Sequence, residues 1–281
     1  MPVFIDDHGV RIHYIVREAE NPRAIVQLVH GVGEHVGRYG ALIDALVADG
    51  FSVWADDHRG HGQTGFEQHG GDLTKMGRPG PGGMRAAIDA VDRFTTVIRD
   101  ENPDLPIVLV GHSWGSFIAQ ILLNRHPLAY SAVVLSGTAY RMPGSLDSGD
   151  LNRKYKTLGT TGAEWLSRDP AVAEAFVADP YTTLTPLAKL FGIGGALALL
   201  GRPARDLPDV PVLIMVGDDD TVGGEASALK LVRSFESRSH LTDVTLIVYA
   251  DARHEIFNET NQAEVRADLL AWLDARVPSR G

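Results

Sequence analysis

The chain has 281 residues, with 26 Lys and Arg against 36 Asp and Glu, so its formal net charge is −10. With no dense basic run to meet phosphate, it is a poor candidate for binding nucleic acid or anionic lipid. A composition that is 44% hydrophobic and 22% charged excludes disordered and fibrous classes, and the absence of cysteine excludes disulfides, thiolate metal sites and a cysteine nucleophile.

The opening residues, MPVFIDDHGV, carry neither the basic nor the apolar region of a secretory signal, so a cytoplasmic location is expected. Arg11 to Val16 alternates apolar and polar residues and suits an antiparallel edge strand. Five solidly apolar runs follow, as expected of strands covered on both faces: Ala24 to His30, Phe51 to Ala55, Ile107 to Val110, Ala132 to Ser136 and Val212 to Val216. Val244 to Tyr249 is a last strand. Between them, Ala41 to Asp49 places Leu42, Ile43, Leu46 and Val47 on one helical face and stops at Gly50. Trp114 to Arg125 repeats the pattern before Pro127, and the final helix follows Asn261 and Glu264, a capping-box pair. Strands alternating with helices define an α/β protein with a mostly parallel sheet. Residues 141–208 break that rhythm with six prolines and no strand pattern, and read as a helical insertion over a core formed by 1–140 and 209–281. Within it, Leu187, Leu190, Phe191, Leu197 and Leu200 are apolar at helical spacing but weakened by three glycines, and the nearly uncharged stretch from Leu190 to Leu200 is about half the ~20 residues of a membrane span. It reads as a core helix of the insertion or as a mobile wall around an apolar substrate.

The strand Ile107 to Val110 runs directly into Gly111-His112-Ser113-Trp114-Gly115, and helical periodicity begins at once. A G-x-S-x-G sequence between strand and helix is a sharp turn that exposes its serine, so Ser113 is the expected nucleophile. A serine hydroxyl needs a base and a group to orient that base. Three acids, Asp218, Asp219 and Asp220, follow the penultimate strand, and His254 follows the last. Loops at the carboxyl ends of parallel strands meet at one sheet edge, so His254 is the expected base, while spacing does not choose among the three acids. The backbone N–H groups of Trp114 and of Val32, in the loop His30-Gly31-Val32-Gly33 after an early strand, are the expected oxyanion donors. That loop lacks both the Gly-Lys-Ser/Thr of a phosphate cradle and the G-x-G-x-x-G of a dinucleotide site. His58 and His61 flank Gly60 and read as part of a turn, with Asp57 pairing to Arg59, rather than as metal ligands.

Four ordered blocks resemble the monoacylglycerol lipase and lysophospholipase-like branch of the α/β-hydrolase-fold serine hydrolases: His30 to His35 with Arg38-Tyr39, Asp57 to Gly62, Gly111 to Ser116, and His254-Glu255 with Phe257-Asn258-Glu259. The resemblance implies that the acid is Asp220, because the lipases' Gly-x-x-Asp-Pro-Val turn matches Gly217, Asp220 and Val222. Two departures stand out: Trp114 replaces the usual methionine, bringing an indole to the wall of the acyl pocket, and Thr221 replaces the proline. The expected activity is hydrolysis of a carboxylic mono-ester through an acyl-enzyme, with no metal or cofactor and with a small acyl ester as partner. Weak peripheral lipid contact through the insertion is compatible with this. Amide hydrolysis or acyl transfer would use the same triad, and a non-catalytic receptor is the alternative from another class.

Overall fold

The computed structural model describes residues 1–147 and 149–277. The chain opens with a hairpin that the sequence reading half missed, β1 (Val3–Ile5) against β2 (Arg11–Arg17). It continues through β3 (Ala24–Val29), α1 (Gly40–Ala48), β4 (Phe51–Asp56), α2 (Gly62–Gln68), α3 (Gly83–Glu101), β5 (Ile107–His112), α4 (Trp114–Arg125) and β6 (Ala132–Ser136). After α5 (Pro170–Ala178) and α6 (Leu187–Ala198) come β7 (Val212–Gly217), α7 (Gly224–Arg238), β8 (Val244–Tyr249) and α8 (Gln262–Asp274). The eight strands form one sheet in the order β1-β2-β4-β3-β5-β6-β7-β8, antiparallel at β1 and β2 and parallel from β4 to β8. Each expected strand forms, with its end within one or two residues of the expected position.

Parallel strands covered on both faces divide their side chains between two apolar layers. Ile25, Val29, Ile107 and Leu109 pack beneath α3, α4 and α7, while Val26, Leu28, Val108 and Val110 pack against α1 and α8. Gln27, fully buried in the middle of β3, is accommodated because its amide donates to the Val91 carbonyl and accepts from Thr95. The edge hairpin is fixed to this core by stacked rings: Phe4 lies 5.5 Å from Phe94, and Tyr14 lies 5.6 Å from Trp54.

Two local expectations are corrected. The Asn261 side chain does not cap α8; its amide donates to Glu264 and its oxygen accepts from Arg168, so the pair is spent side chain to side chain. Arg59 pairs with Asp6 and not with Asp57, whose carboxylate instead accepts from the backbone N–H groups of Val36 and Gln63. Segment 141–208 holds helices and no strand among the described residues. Its α6 is kinked at Gly192, where φ is 73°, and it exposes Ile193 and Leu197 while burying Leu190.

Phe94 is the fully buried hinge of the hairpin packing. Phe94→Ala should lower unfolding stability by about 3–5 kcal/mol, through lost transfer energy and the cavity left behind. A urea denaturation midpoint measured by circular dichroism checks this.

Candidate active site

β3 and β5 are neighbours, with Val29 opposite Gly111, so the loops leaving their carboxyl ends share one edge of the sheet. The strand order reverses here, because β4 lies on the far side of β3, and such a switch point is where an open parallel sheet leaves a crevice. Ser113 leaves β5 with φ 53° and ψ −123°, a strained conformation that lifts its side chain off the strand. A Cβ at Gly115 would stand 2.1 Å from the Val29 carbonyl oxygen, so only glycine lets α4 begin this close to β3. Across the crevice, the α-carbon of Gly31 faces the serine: a Cβ built there would lie 3.1 Å from the Ser113 Cβ. Trp114 is the first residue of α4, where backbone N–H groups lack intrahelical partners, and Val32 follows Gly31 in the facing loop.

The two remaining loops converge from β7 and β8. His254 Nε2 lies 2.8 Å from Ser113 Oγ, and His254 Nδ1 lies 3.0 Å from both carboxylate oxygens of Asp220. Nδ1 faces a carboxylate, so it carries the proton and donates, leaving Nε2 to accept from the serine hydroxyl. The three consecutive acids separate by environment: Asp220 is buried, Asp219 pairs with Lys154, and Asp218 is exposed. The glycine that opens this turn is a steric necessity, since a Cβ at Gly217 would lie 1.9 Å from the Ala252 carbonyl oxygen, where the histidine loop crosses.

A buried ionic network joins the serine's facing loop to the histidine loop. Arg38 donates to Glu34 at 2.8 Å and, through two nitrogens, to Glu255 at 2.6 and 2.8 Å. Glu34 in turn accepts from the Gly31 N–H at 2.7 Å and from the Tyr39 hydroxyl at 2.6 Å. The motif letters that carried these residues gave them no role, because a Glu or Arg four or two hundred residues from its partner leaves no periodicity. Burial raises the Glu34 carboxyl above its ordinary range despite Arg38, whereas Glu255, also penalised by burial, is brought below it by the bidentate guanidinium.

The same fields act on the histidines. Burial opposes charge on His254, but the charge and hydrogen bond of Asp220, with Glu255 and Glu34 adding, raise its pKa above the ordinary value. Neighbouring His112 is pushed down to about 3 by burial and by His254, and so stays neutral. Trp114 departs from expectation: its indole is 1% exposed, donates to Met84 Sδ at 3.3 Å and lies against His61 and Phe191, so it offers no open face to a pocket. A second indole, Trp165 of segment 141–208, stands 4.9 Å from the His254 ring, and nothing in the sequence pattern singled it out. None of the described residues forms a histidine and carboxylate group able to hold a metal ion.

The model of the family described as serine aminopeptidase, S33, matches residues 20–261, and the chain belongs to that family. It is 35% identical to a monoacylglycerol lipase of Mycolicibacterium smegmatis over 94% of this chain and 93% of the relative. It is 29% identical to the mouse monoglyceride lipase over 92% of this chain and 85% of that one. Among solved structures, a thermostable carboxyl esterase of Bacillus coagulans superposes with a TM-score of 0.85 at 25% identity, covering 98% of both chains. A monoacylglycerol lipase of Paleococcus ferrophilus superposes at 0.72 with 25% identity, covering 94% of this chain and 99% of the other. The chain is thus an α/β hydrolase, and its class of reaction is hydrolysis of carboxylic esters.

Three outcomes test the site. With His254 as the proposed base, which must be neutral to act, kcat/KM should fall as pH drops through an apparent pKa above the ordinary ~6.5 of histidine, and Asp220→Asn should cut turnover by about 10⁴-fold at neutral pH by freeing the wrong tautomer. Arg38→Met should destabilise the fold by about 3–5 kcal/mol, because it strands buried carboxylates on both loops. A pH–rate profile reads the first, initial rates at neutral pH the second, and a denaturant titration the third.

Proposed function

We propose that the chain hydrolyses mono-esters of fatty acids with glycerol, through an acyl-enzyme on Ser113. His254 takes the serine proton as Oγ attacks the ester carbonyl, and the N–H groups of Val32 and Trp114 hold the oxyanion. His254 then gives the proton to the departing glycerol oxygen. Water, deprotonated by the same nitrogen, attacks the acyl carbon and releases the fatty acid, while Asp220 keeps the imidazole in the useful tautomer and offsets its charge. The observation that carries this reading is the continuous relay from Ser113 through His254 to buried Asp220. The names of the similar lipases support the substrate class.

In this reading residues 141–208 are a cap over the serine. Its apolar side chains, Leu187, Leu190 and Phe191 among them, favour an acyl chain, at about 0.8 kcal/mol for each methylene buried. The outward-facing Ile193 and Leu197 make α6 the surface for weak contact with a lipid aggregate, from which a cytoplasmic enzyme would draw its substrate. No helix among the described residues is long and apolar enough to cross a membrane.

The experiment is hydrolysis of 1-monoacylglycerols of increasing chain length beside lysophosphatidylcholine, p-nitrophenyl esters and amino-acyl amides. Ser113→Ala serves as the blank. Ser113-dependent turnover of medium or long monoacylglycerols is expected, with the alanine variant folded and reduced to the background rate. Turnover retained in Ser113→Ala overturns the nucleophile, and preference for the amides favours the peptidase reading suggested by the family's description.

A further inference from the structure

The indole of Trp165 covers one face of the His254 imidazole. Its ring centre lies 4.9 Å from that of the imidazole, with the planes at 33°, and the ring is only half-buried. The segment bearing it is fastened to the histidine loop through backbone groups: the Glu255 N–H donates to the Leu166 carbonyl at 2.7 Å, and the His254 N–H to the Trp165 carbonyl at 3.5 Å. The Arg253 guanidinium donates to the carbonyls of Glu164 and Ser167 at 2.6 and 2.9 Å, and the Trp165 N–H donates to Asn152 at 3.0 Å. Asn152 is itself held by Glu164 at 2.6 Å. This part of the cap is therefore built onto the base loop, in contrast to α6, which is kinked and largely exposed.

We propose that Trp165 is a positioning residue for the ester hydrolysis, its π-face stabilising the imidazolium that His254 becomes when it takes the serine proton. The inference rests on the triad reading above. A cation within about 6 Å of an indole centre is attracted by the ring quadrupole, and more strongly where water is excluded. His254 is 1% exposed, so water contributes little to solvating the new charge. The other groups facing the ring are accounted for. Asp220 lies along one edge and Ser113 at the other nitrogen, and His112, held neutral, is 4.9 Å away on the β5 side. Glu255 and Glu34 act from the two loops that Arg38 bridges. Among these groups Trp165 is the aromatic contributed by the cap. The cap thereby takes part in the chemistry as well as in substrate choice, and a substrate's acyl or glycerol part pressing on the indole would be felt at the base.

The test compares Trp165→Leu, which keeps an apolar cover but removes the quadrupole, with Trp165→Phe, which keeps a smaller π-face. In Trp165→Leu the acid limb of kcat/KM should move down by about half to one pH unit, and its plateau should fall about three- to tenfold. KM should change little, and Trp165→Phe should show smaller effects of both kinds. A plateau that falls while the acid limb stays in place, or an acid limb that moves up, overturns the proposal: the first marks a packing role and the second a role in desolvation alone. A second readout does not depend on turnover. Protonated imidazole quenches a contacting indole, so the emission lost in Trp165→Phe should titrate with His254 in the wild type and stop titrating in His254→Gln. Emission that titrates unchanged in His254→Gln overturns the contact. Ser113→Ala runs beside these: if it retains turnover the acyl-enzyme reading falls, while the emission titration still decides whether Trp165 senses the base. If Trp165→Leu does not fold, Trp165→Phe and the titration carry the test.

Discussion

One guanidinium holds the site together. Arg38 stands between two carboxylates that belong to loops more than two hundred residues apart in sequence, Glu34 beside the serine's facing loop and Glu255 beside the base. Each loop runs along the sheet edge with only one short 3-10 turn of its own, Val36–Tyr39 in the first and Ile256–Asn258 in the second, so hydrophobic packing alone would leave much of its backbone loosely determined. The Glu34 carboxylate reaches the Gly31 N–H, and Glu255 adjoins His254, so one ion-paired cluster fixes the loop facing Ser113 and the loop carrying His254. Burying such charges is costly, and the cost is acceptable only where every lone pair finds a donor. Tyr39, Asn258 and Gly31 complete that requirement. The Phe176 ring from α5, 4.7 Å from the guanidinium carbon, closes the cluster from the cap side.

The same edge explains why segment 141–208 is attached unevenly. Its early part, through Glu164, Trp165, Leu166 and Ser167, bonds to the loop after β8 by backbone groups and by Arg253. Arg168 adds an ion pair with buried Glu259. Its later part touches the facing loop at fewer points: Thr183 donates to the Gly33 carbonyl at 2.8 Å, and His35 bonds Asp179 at 2.8 Å. Beyond these, α6 carries a glycine at its kink and apolar side chains in solvent. Few buried side chains and an interrupted helix mean a low local stability, so segment 141–208 should loosen first at α6 while its early part stays fastened to the loop after β8.

How much of this was legible beforehand follows from the range of the interactions. The strands, α1, α4 and α8 were readable because their signals are local: apolar runs between turn residues, or a 3.6-residue stripe. The strained serine was readable because glycine at Gly111 and Gly115 and the strand-to-helix switch lie within a few residues of it. His254 followed from topology, since it sits in the loop after the last strand, where this kind of elbow takes its base, but Asp220 was not separable from Asp218 and Asp219 without the family turn. Which of three adjacent carboxylates points inward is a matter of local backbone geometry that spacing does not encode. Asp57 and Arg59 looked like partners because they are close in sequence, yet Arg59 is drawn to Asp6 across the sheet edge. Trp165 was invisible for a similar reason: it lies in the proline-broken segment without a periodic frame, and its importance comes wholly from what it touches.

In the proposed reaction these constraints converge on the moment when His254 becomes charged. His254 is buried, and burial by itself opposes charge on its ring. When it takes the serine proton, the imidazolium finds Asp220 along its edge, Glu255 on the adjoining residue and the indole face of Trp165 above it, all set in place by contacts that exist before substrate arrives. Interactions that strengthen only as charge develops lower the barrier without tightening the hold on substrate, which is what catalysis requires of them. In that reaction the rigidity of the cluster serves the chemistry. A looser edge could still bring Ser113 and His254 within hydrogen-bonding distance, but it would have to reorganise around the new charge, and that reorganisation would add to the barrier.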